Sequence, residues 1–147
     1  MKVNLNYDFA VKEKMPQPEY EIATFAAGSF WRVEAIFRQV QGVIATAVGF
    51  MGGTSEYPTF QQVSTGETGH AEAVQIIFDP RVVSYEKLLE LFWELHNPTV
   101  AAEEGEEIQS QYRSIIFYHN DAQHDVAVRS KLQQERSGRF KREIITE

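Results

Sequence analysis

Gly28-Ser29-Phe30-Trp31 sets a hydroxyl beside two aromatic rings at a chain position suited to chemistry. The stretch follows a strand-like run, Glu21 to Ala26, and precedes a helix-like one, Phe30 to Val40. A residue at a helix N-terminus meets unpaired backbone N–H groups and the positive end of the dipole. That place suits an N-capping serine, and it also lowers the pKa of a thiol. Two further stretches carry reactive groups. Thr68-Gly69-His70-Ala71-Glu72 supplies a carboxyl, a general acid if it holds its proton, and Gln111-Tyr112-Arg113-Ser114 supplies a phenol. The four histidines, His70, His96, His119 and His124, lack H-x-x-x-H spacing, so no zinc site is expected. The absence of cysteine excludes disulfides, thiolate metal sites and thiol catalysis by the chain as written.

The elements that position these groups follow from periodicity. A first strand is expected over about 21–26. A helix over 30–40 follows, with Val33, Ile36, Phe37 and Val40 on one face, ended by Gly42. A β-branched and small-residue strand spans 43–50, then a glycine- and proline-broken loop from Met51 to Gly69. Strand three covers 71–78 and stops at Asp79-Pro80. Helix two covers 84–96, capped by Ser84, with Tyr85, Leu88, Leu89, Phe92 and His96 as its stripe. A second irregular stretch, 97–111, holds the acidic run Glu103 to Glu107. Strand four spans 113–118, helix three 121–136 capped by Asp121, and residues 140–146 suit a short edge strand. The order β-α-β-β-α-β plus a helix predicts an α+β, ferredoxin-like split βαβ two-layer sandwich with long functional loops. Strands one and three are its central pair, and the two irregular stretches are expected to meet near the start of helix one. Residues 1–20, polar with Pro16 and Pro18, read as an extended arm, and 21–147 as one catalytic domain.

The 147 residues carry a net charge of −7, which argues against general nucleic-acid binding. No apolar run approaches the roughly 20 residues of a membrane span, and residues 1–20 show no signal-peptide core, so a cytoplasmic location is expected.

The three motifs, in this order, resemble the A-type peptide methionine sulfoxide reductases, whose signature opens Gly-Cys-Phe-Trp. The resemblance runs from about Ile22 to Tyr118. It implies an oxidoreductase of protein repair under oxidative stress that reduces methionine-S-sulfoxide, free or in peptides and proteins. A thiolate attacks the sulfoxide sulfur, methionine leaves, and the resulting sulfenic acid is reduced by another thiol, without a bound cofactor. Ser29 matches the nucleophilic cysteine, which some relatives replace with selenocysteine. A serine hydroxyl is far too weak an acid, and its oxygen cannot take up the oxygen equivalent. The chain is therefore expected to be inactive as written. A deliberate Cys→Ser replacement is the simplest explanation; a natural non-catalytic paralogue that binds oxidised methionine is the alternative.

The resemblance also implies the remaining roles. Phe30 and Trp31 match the aromatic pair lining the methyl pocket. Glu72 matches the carboxyl that protonates or hydrogen-bonds the sulfoxide oxygen, and burial beside the rings would favour its protonated form. Tyr112 matches a pocket hydroxyl. Two positions depart from the family. Phe60 stands in Pro58-Thr59-Phe60 where relatives usually have tyrosine, with Tyr57 nearby as a substitute hydroxyl. Glu107 stands where an aspartate is usual. Ser64 occupies a position where many relatives have a second cysteine. With no resolving cysteine, the expected reductant is an external thiol such as thioredoxin, glutathione or glutaredoxin.

Overall fold

The computed structural model describes residues 19–54, 59–64, 69–99 and 112–147. β1 (Glu21–Ala27), β2 (Val43–Met51), β3 (Ala71–Phe78) and β4 (Ser114–Phe117) form one antiparallel sheet in the order β2-β3-β1-β4. The central pair is β1 and β3, as the split βαβ pattern requires. The first helix, α1 (Phe30–Phe37), joins β1 to β2. A short helix, α2 (Phe60–Ser64), interrupts the long loop. The third, α3 (Tyr85–Glu94), and the fourth, α4 (Asp121–Arg136), flank β4 in sequence.

Alternation along the strands sorts the two faces. Ala23, Phe25 and Ala27 of β1 and Val74, Ile76 and Phe78 of β3 join Phe30, Val33 and Phe37 of α1 and Leu88, Leu89, Phe92 and Trp93 of α3 in one buried core. Phe25 lies at its centre, with ring centroids 5.6 Å from Phe37 and 5.1 Å from Phe92. Ala26, Ala71 and Ile115 point to the other face. Glu72 shares the helix-facing row with Val74, Ile76 and Phe78, so the strand's period places a carboxyl at the end of an apolar row.

Boundaries differ from expectation where local chemistry decides them. α1 ends at Phe37, because the Gln39 and Val40 amides bond to the Ile36 and Phe37 carbonyls in a tightening turn toward Gly42. Asn120, not Asp121, caps α4: its side chain accepts the Gln123 N–H at 2.8 Å. No strand forms over 140–146; instead, Glu147 alone exchanges backbone hydrogen bonds with Ser114 and Ile116 of β4. The arm expected over 1–20 lies outside the described residues except for its last two.

Gly42 holds the turn before β2 with φ +99°, and its carbonyl accepts the Asp79 N–H at 2.8 Å. A Cβ there would lie 2.7 Å from Val83 Cγ1. Gly42→Ala is expected to cost about 2–4 kcal/mol, from left-handed strain plus overpacking. The control is Gly49→Ala, which meets nothing within 4 Å, and whose urea midpoint should stay close to that of the parent.

Candidate active site

β1 delivers the chain to the site and Gly28 turns it. Gly28 sits at φ +96°, a conformation that side chains disfavour, and this turn sets Ser29 as the N-cap of α1. The Ser29 backbone is extended and its carbonyl accepts the Val33 N–H at 3.2 Å, yet its hydroxyl makes no capping hydrogen bond. Glu72, 42 residues away, does the capping: its Oε1 accepts the Phe30 N–H at 3.2 Å. Glu72 is only 2% exposed. The side chain at position 29 is thus not spent on the helix, and a buried carboxyl stands at the first helical amide beside it.

The aromatic wall is continuous. Phe30 is buried and meets Trp31 edge to face at 5.0 Å; Trp31 is 65% exposed. Phe50 of β2, opposite Glu72 in the strand register, packs on Phe30 at 5.6 Å. Phe50 is a wall residue that sequence reasoning missed; its placement beside Glu72 depends on strand register, which no local pattern reveals. Ser29, Phe30, Trp31 and Glu72 are therefore brought together. Phe60 opens α2 and is 50% exposed. Tyr112 is half-buried, directly before Arg113 and β4. Tyr57 and Glu107 lie outside the described residues, as does the side chain of Ser64.

Supports surround the turn. Arg32, read from sequence only as a helix residue, donates to the Leu95 carbonyl at 2.8 Å and to the Ala27 carbonyl at 3.4 Å, tying the turn to the end of α3. His70 accepts the Gly53 N–H through Nδ1 at 3.1 Å, so it joins the loop after β2 to the start of β3. Arg113 donates to the Gly69 carbonyl at 2.8 Å and pairs with Glu147 at 2.9 Å. Behind β1, His96 bonds the Phe92 carbonyl and the Ser114 hydroxyl, each at 2.7 Å, and Ser114 bonds Thr146 at 2.8 Å. Burial pushes the His96 imidazole down to about 4, aided by the charge of Arg32 and opposed by the Phe92 carbonyl. Among the described residues no group of three His, Asp or Glu side chains is placed to hold a metal ion, and no helix is long and apolar enough to cross a membrane.

A buried carboxyl caps α1 beside the uncommitted side chain of Ser29, and aromatic rings wall the place. The model of the family described as peptide methionine sulfoxide reductase matches residues 21–147. The chain belongs to that family.

The reductase MsrA of Methanosarcina acetivorans is 55% identical over 132 residues, covering 90% of this chain and 70% of that protein. MsrA of Methanococcoides burtonii is 56% identical over 127 residues, covering 86% and 83%. Another relative, from Methanosarcina mazei, is spanned over 63% of its length. The fold agrees with solved reductases: Mxr1 from Saccharomyces cerevisiae in reduced form superposes with a TM-score of 0.75 at 27% identity, covering 90% of this chain and 76% of that one. Methionine sulfoxide reductase A of Corynebacterium diphtheriae gives 0.74 at 29%, covering 90% and 65%.

Proposed function

We propose that this chain is the scaffold of a peptide-methionine (S)-S-oxide reductase whose nucleophile position is occupied by Ser29. The observation that carries the reading is the hydrogen bond from the Phe30 N–H to the buried Glu72 carboxyl. It supports a site in which a thiol at position 29, at the helix N-terminus, attacks sulfur while Glu72 delivers a proton to the departing oxygen. The step balances as one protein thiol plus one sulfoxide giving one protein sulfenic acid plus one thioether. The thiol sulfur is oxidised by two electrons and the sulfoxide sulfur reduced by two. Phe30 and Trp31 hold the methyl group against their rings, Tyr112 helps to hold the oxygen, Tyr57 supplies the hydroxyl that Phe60 lacks, and Glu107 orders water or holds the N-terminus of α1. The reading places the single catalytic domain at 21–147 and the protein in the cytoplasm. The sulfenic acid is returned to thiol by two equivalents of an external thiol, with loss of water. Thioredoxin is the favoured class, since yeast Mxr1 has been solved in complex with Trx2.

With serine at position 29, the chain binds the sulfoxide without reducing it. The test is Ser29→Cys mixed with a methionine-S-sulfoxide peptide and no other thiol. One equivalent of methionine, with one added oxygen on the protein at position 29, is expected from the S-epimer and none from the R-epimer. A folded variant that yields no methionine would turn the reading to a binding module for oxidised methionine.

A further inference from the structure

The two edges of the sheet are finished differently. β4 has four residues, and Glu147 covers its outer edge, donating to the Ser114 carbonyl and accepting the Ile116 N–H. β2, the opposite edge, has nine residues and pairs only with β3 among the described residues. None of its residues is buried, whereas five of seven in β1 and seven of eight in β3 are. Edge strands are normally guarded by charge, proline, shortness or a bulge. Val43-Ile-Ala-Thr-Ala-Val-Gly-Phe-Met51 has no charge and no proline. Its one irregularity, a register shift at Ile44, lies at the end away from the site. Among the described residues, the stretch from Ala45 to Met51 is an open row of alternating N–H and C=O groups on a β-prone sequence, which is either an aggregation hazard or a place built for another strand.

This row ends at the candidate active site. Phe50 is the register partner of Glu72 and packs on Phe30. α1 runs back alongside β2: the Thr46 hydroxyl donates to Glu34 at 2.9 Å, and an open groove between the two elements is lined by Glu34, Arg38, Ile44 and Thr46. Trp31, Glu34 and Arg38 fall on one face of α1. The groove lies beside the first half of the strand, and the strand edge runs on for roughly 20 Å from Ile44 to Phe50.

We infer that β2 is a backbone rail for substrate: an extended segment flanking an oxidised methionine adds to this edge as a fifth strand, with its sulfoxide side chain reaching Glu72 and the start of α1. The inference rests on the reading of the site as a sulfoxide site. Its occupant follows from continuity, because the rail starts where the sulfoxide would be held. It follows also from chemistry, because any extended polypeptide offers the donors and acceptors a strand edge needs, whatever its side chains. Unfolded or locally extended oxidised segments are the favoured substrates, and free methionine sulfoxide gains nothing from the rail.

The test uses the chain with Ser29 in place and calorimetric binding of a nine-residue peptide with a central methionine-S-sulfoxide. The backbone nitrogen of each residue is methylated in turn, and N-acetyl methionine-S-sulfoxide amide is measured alongside. The parent peptide should bind more tightly than the amide. Methylation should weaken binding about three- to tenfold at every second residue on one side of the sulfoxide, with little change between. A flat scan with a tightly bound parent would overturn the rail and leave the site intact, as would equal affinity for peptide and amide. If neither peptide nor amide binds, the sulfoxide site fails and the rail falls with it. Self-association in sedimentation that excess peptide does not reverse would assign the edge to a second copy of the chain.

Discussion

In a Ser29→Cys background, Glu72→Gln is expected to lower the single-turnover rate of methionine formation by about 100- to 1,000-fold while leaving the fold intact. Glutamine keeps the length of the side chain and an oxygen that can accept the Phe30 N–H, the contact now made at 3.2 Å. It removes the one thing a general acid must have, a proton held by a carboxyl. Sulfoxide oxygen is a poor leaving group until it is protonated, so the loss falls on the chemical step rather than on binding. Glu72→Asp should also be slow, for another reason: shortening by one methylene breaks the contact with α1 and retracts the proton from the site. Quenched-flow assay of methionine, with urea unfolding of each variant, separates the two cases. Glu72→Gln should unfold within about 1 kcal/mol of the parent, since the buried hydrogen bond survives. A rate within threefold of the parent would remove Glu72 from the proton-transfer role. The same comparison bears on Arg32. Its bonds to Leu95 and Ala27 hold the turn rather than the substrate, so Arg32 variants should lose stability and rate together.

Periodicity carried the fold because the core is ordered by alternation. Ala23 and Phe25 against Ile22 and Thr24, and Val33 with Phe37 on α1, are sufficient to pair elements and assign faces. The four strands and the three longer helices were legible for that reason, and the β-α-β-β-α-β order did the rest. The motifs carried Ser29, Phe30, Trp31 and Glu72 into one place, but the contact that joins them was not readable. The Glu72 carboxyl meets the Phe30 amide across 42 residues, through a strand register that also brings Phe50 to the wall. The sequence leaves Ser29 suited both to capping and to the nucleophile position; a distant carboxyl supplies the capping hydrogen bond. Asp121 and Asn120 are both good caps, and the choice between them depends on backbone geometry. α2 is too short to show a period. His96 fell at helical spacing with Leu88, Leu89 and Phe92 and was grouped with them as an apolar stripe. It is instead a polar junction between α3, β4 and the segment at Thr146, because a histidine at that spacing can face a core and still be fully hydrogen-bonded.

That junction is expected to make the chain acid-labile from about pH 6.5 downward. In the unfolded chain His96 takes up a proton near 6.5; in the folded protein burial holds it neutral until about 4. Between these values the unfolded state binds a proton that the folded state does not. Stability from this group is therefore fully present above pH 6.5 and is lost progressively as pH falls toward 4, by about 2–4 kcal/mol. His119, also lowered by burial, acts with the same sign. Asp79, held below its ordinary value by Arg81, contributes only near and below 3.8, so it stays out of the interval from pH 6.5 to 5, where the difference between the parent and His96→Gln isolates His96. The geometry explains why the folded state refuses the proton. The Phe92 carbonyl takes a donor from Nδ1, so the neutral ring accepts the Ser114 hydroxyl at Nε2. Protonation turns Nε2 into a donor, reverses the Ser114 hydroxyl and disturbs its bond to Thr146. Ser114 is the register partner of Ala27, and Leu95, next to His96, holds Arg32. Acid should therefore loosen the support of the Gly28-Ser29 turn before the sheet itself. His96→Gln removes the titration at the cost of about 1–3 kcal/mol at pH 7 from the disrupted hydrogen bonds. Urea unfolding from pH 7.5 to 5 should show a shallower slope for His96→Gln than for the parent, and amide exchange should show the turn protected over a wider pH range. Parallel slopes would place the acid lability outside this junction.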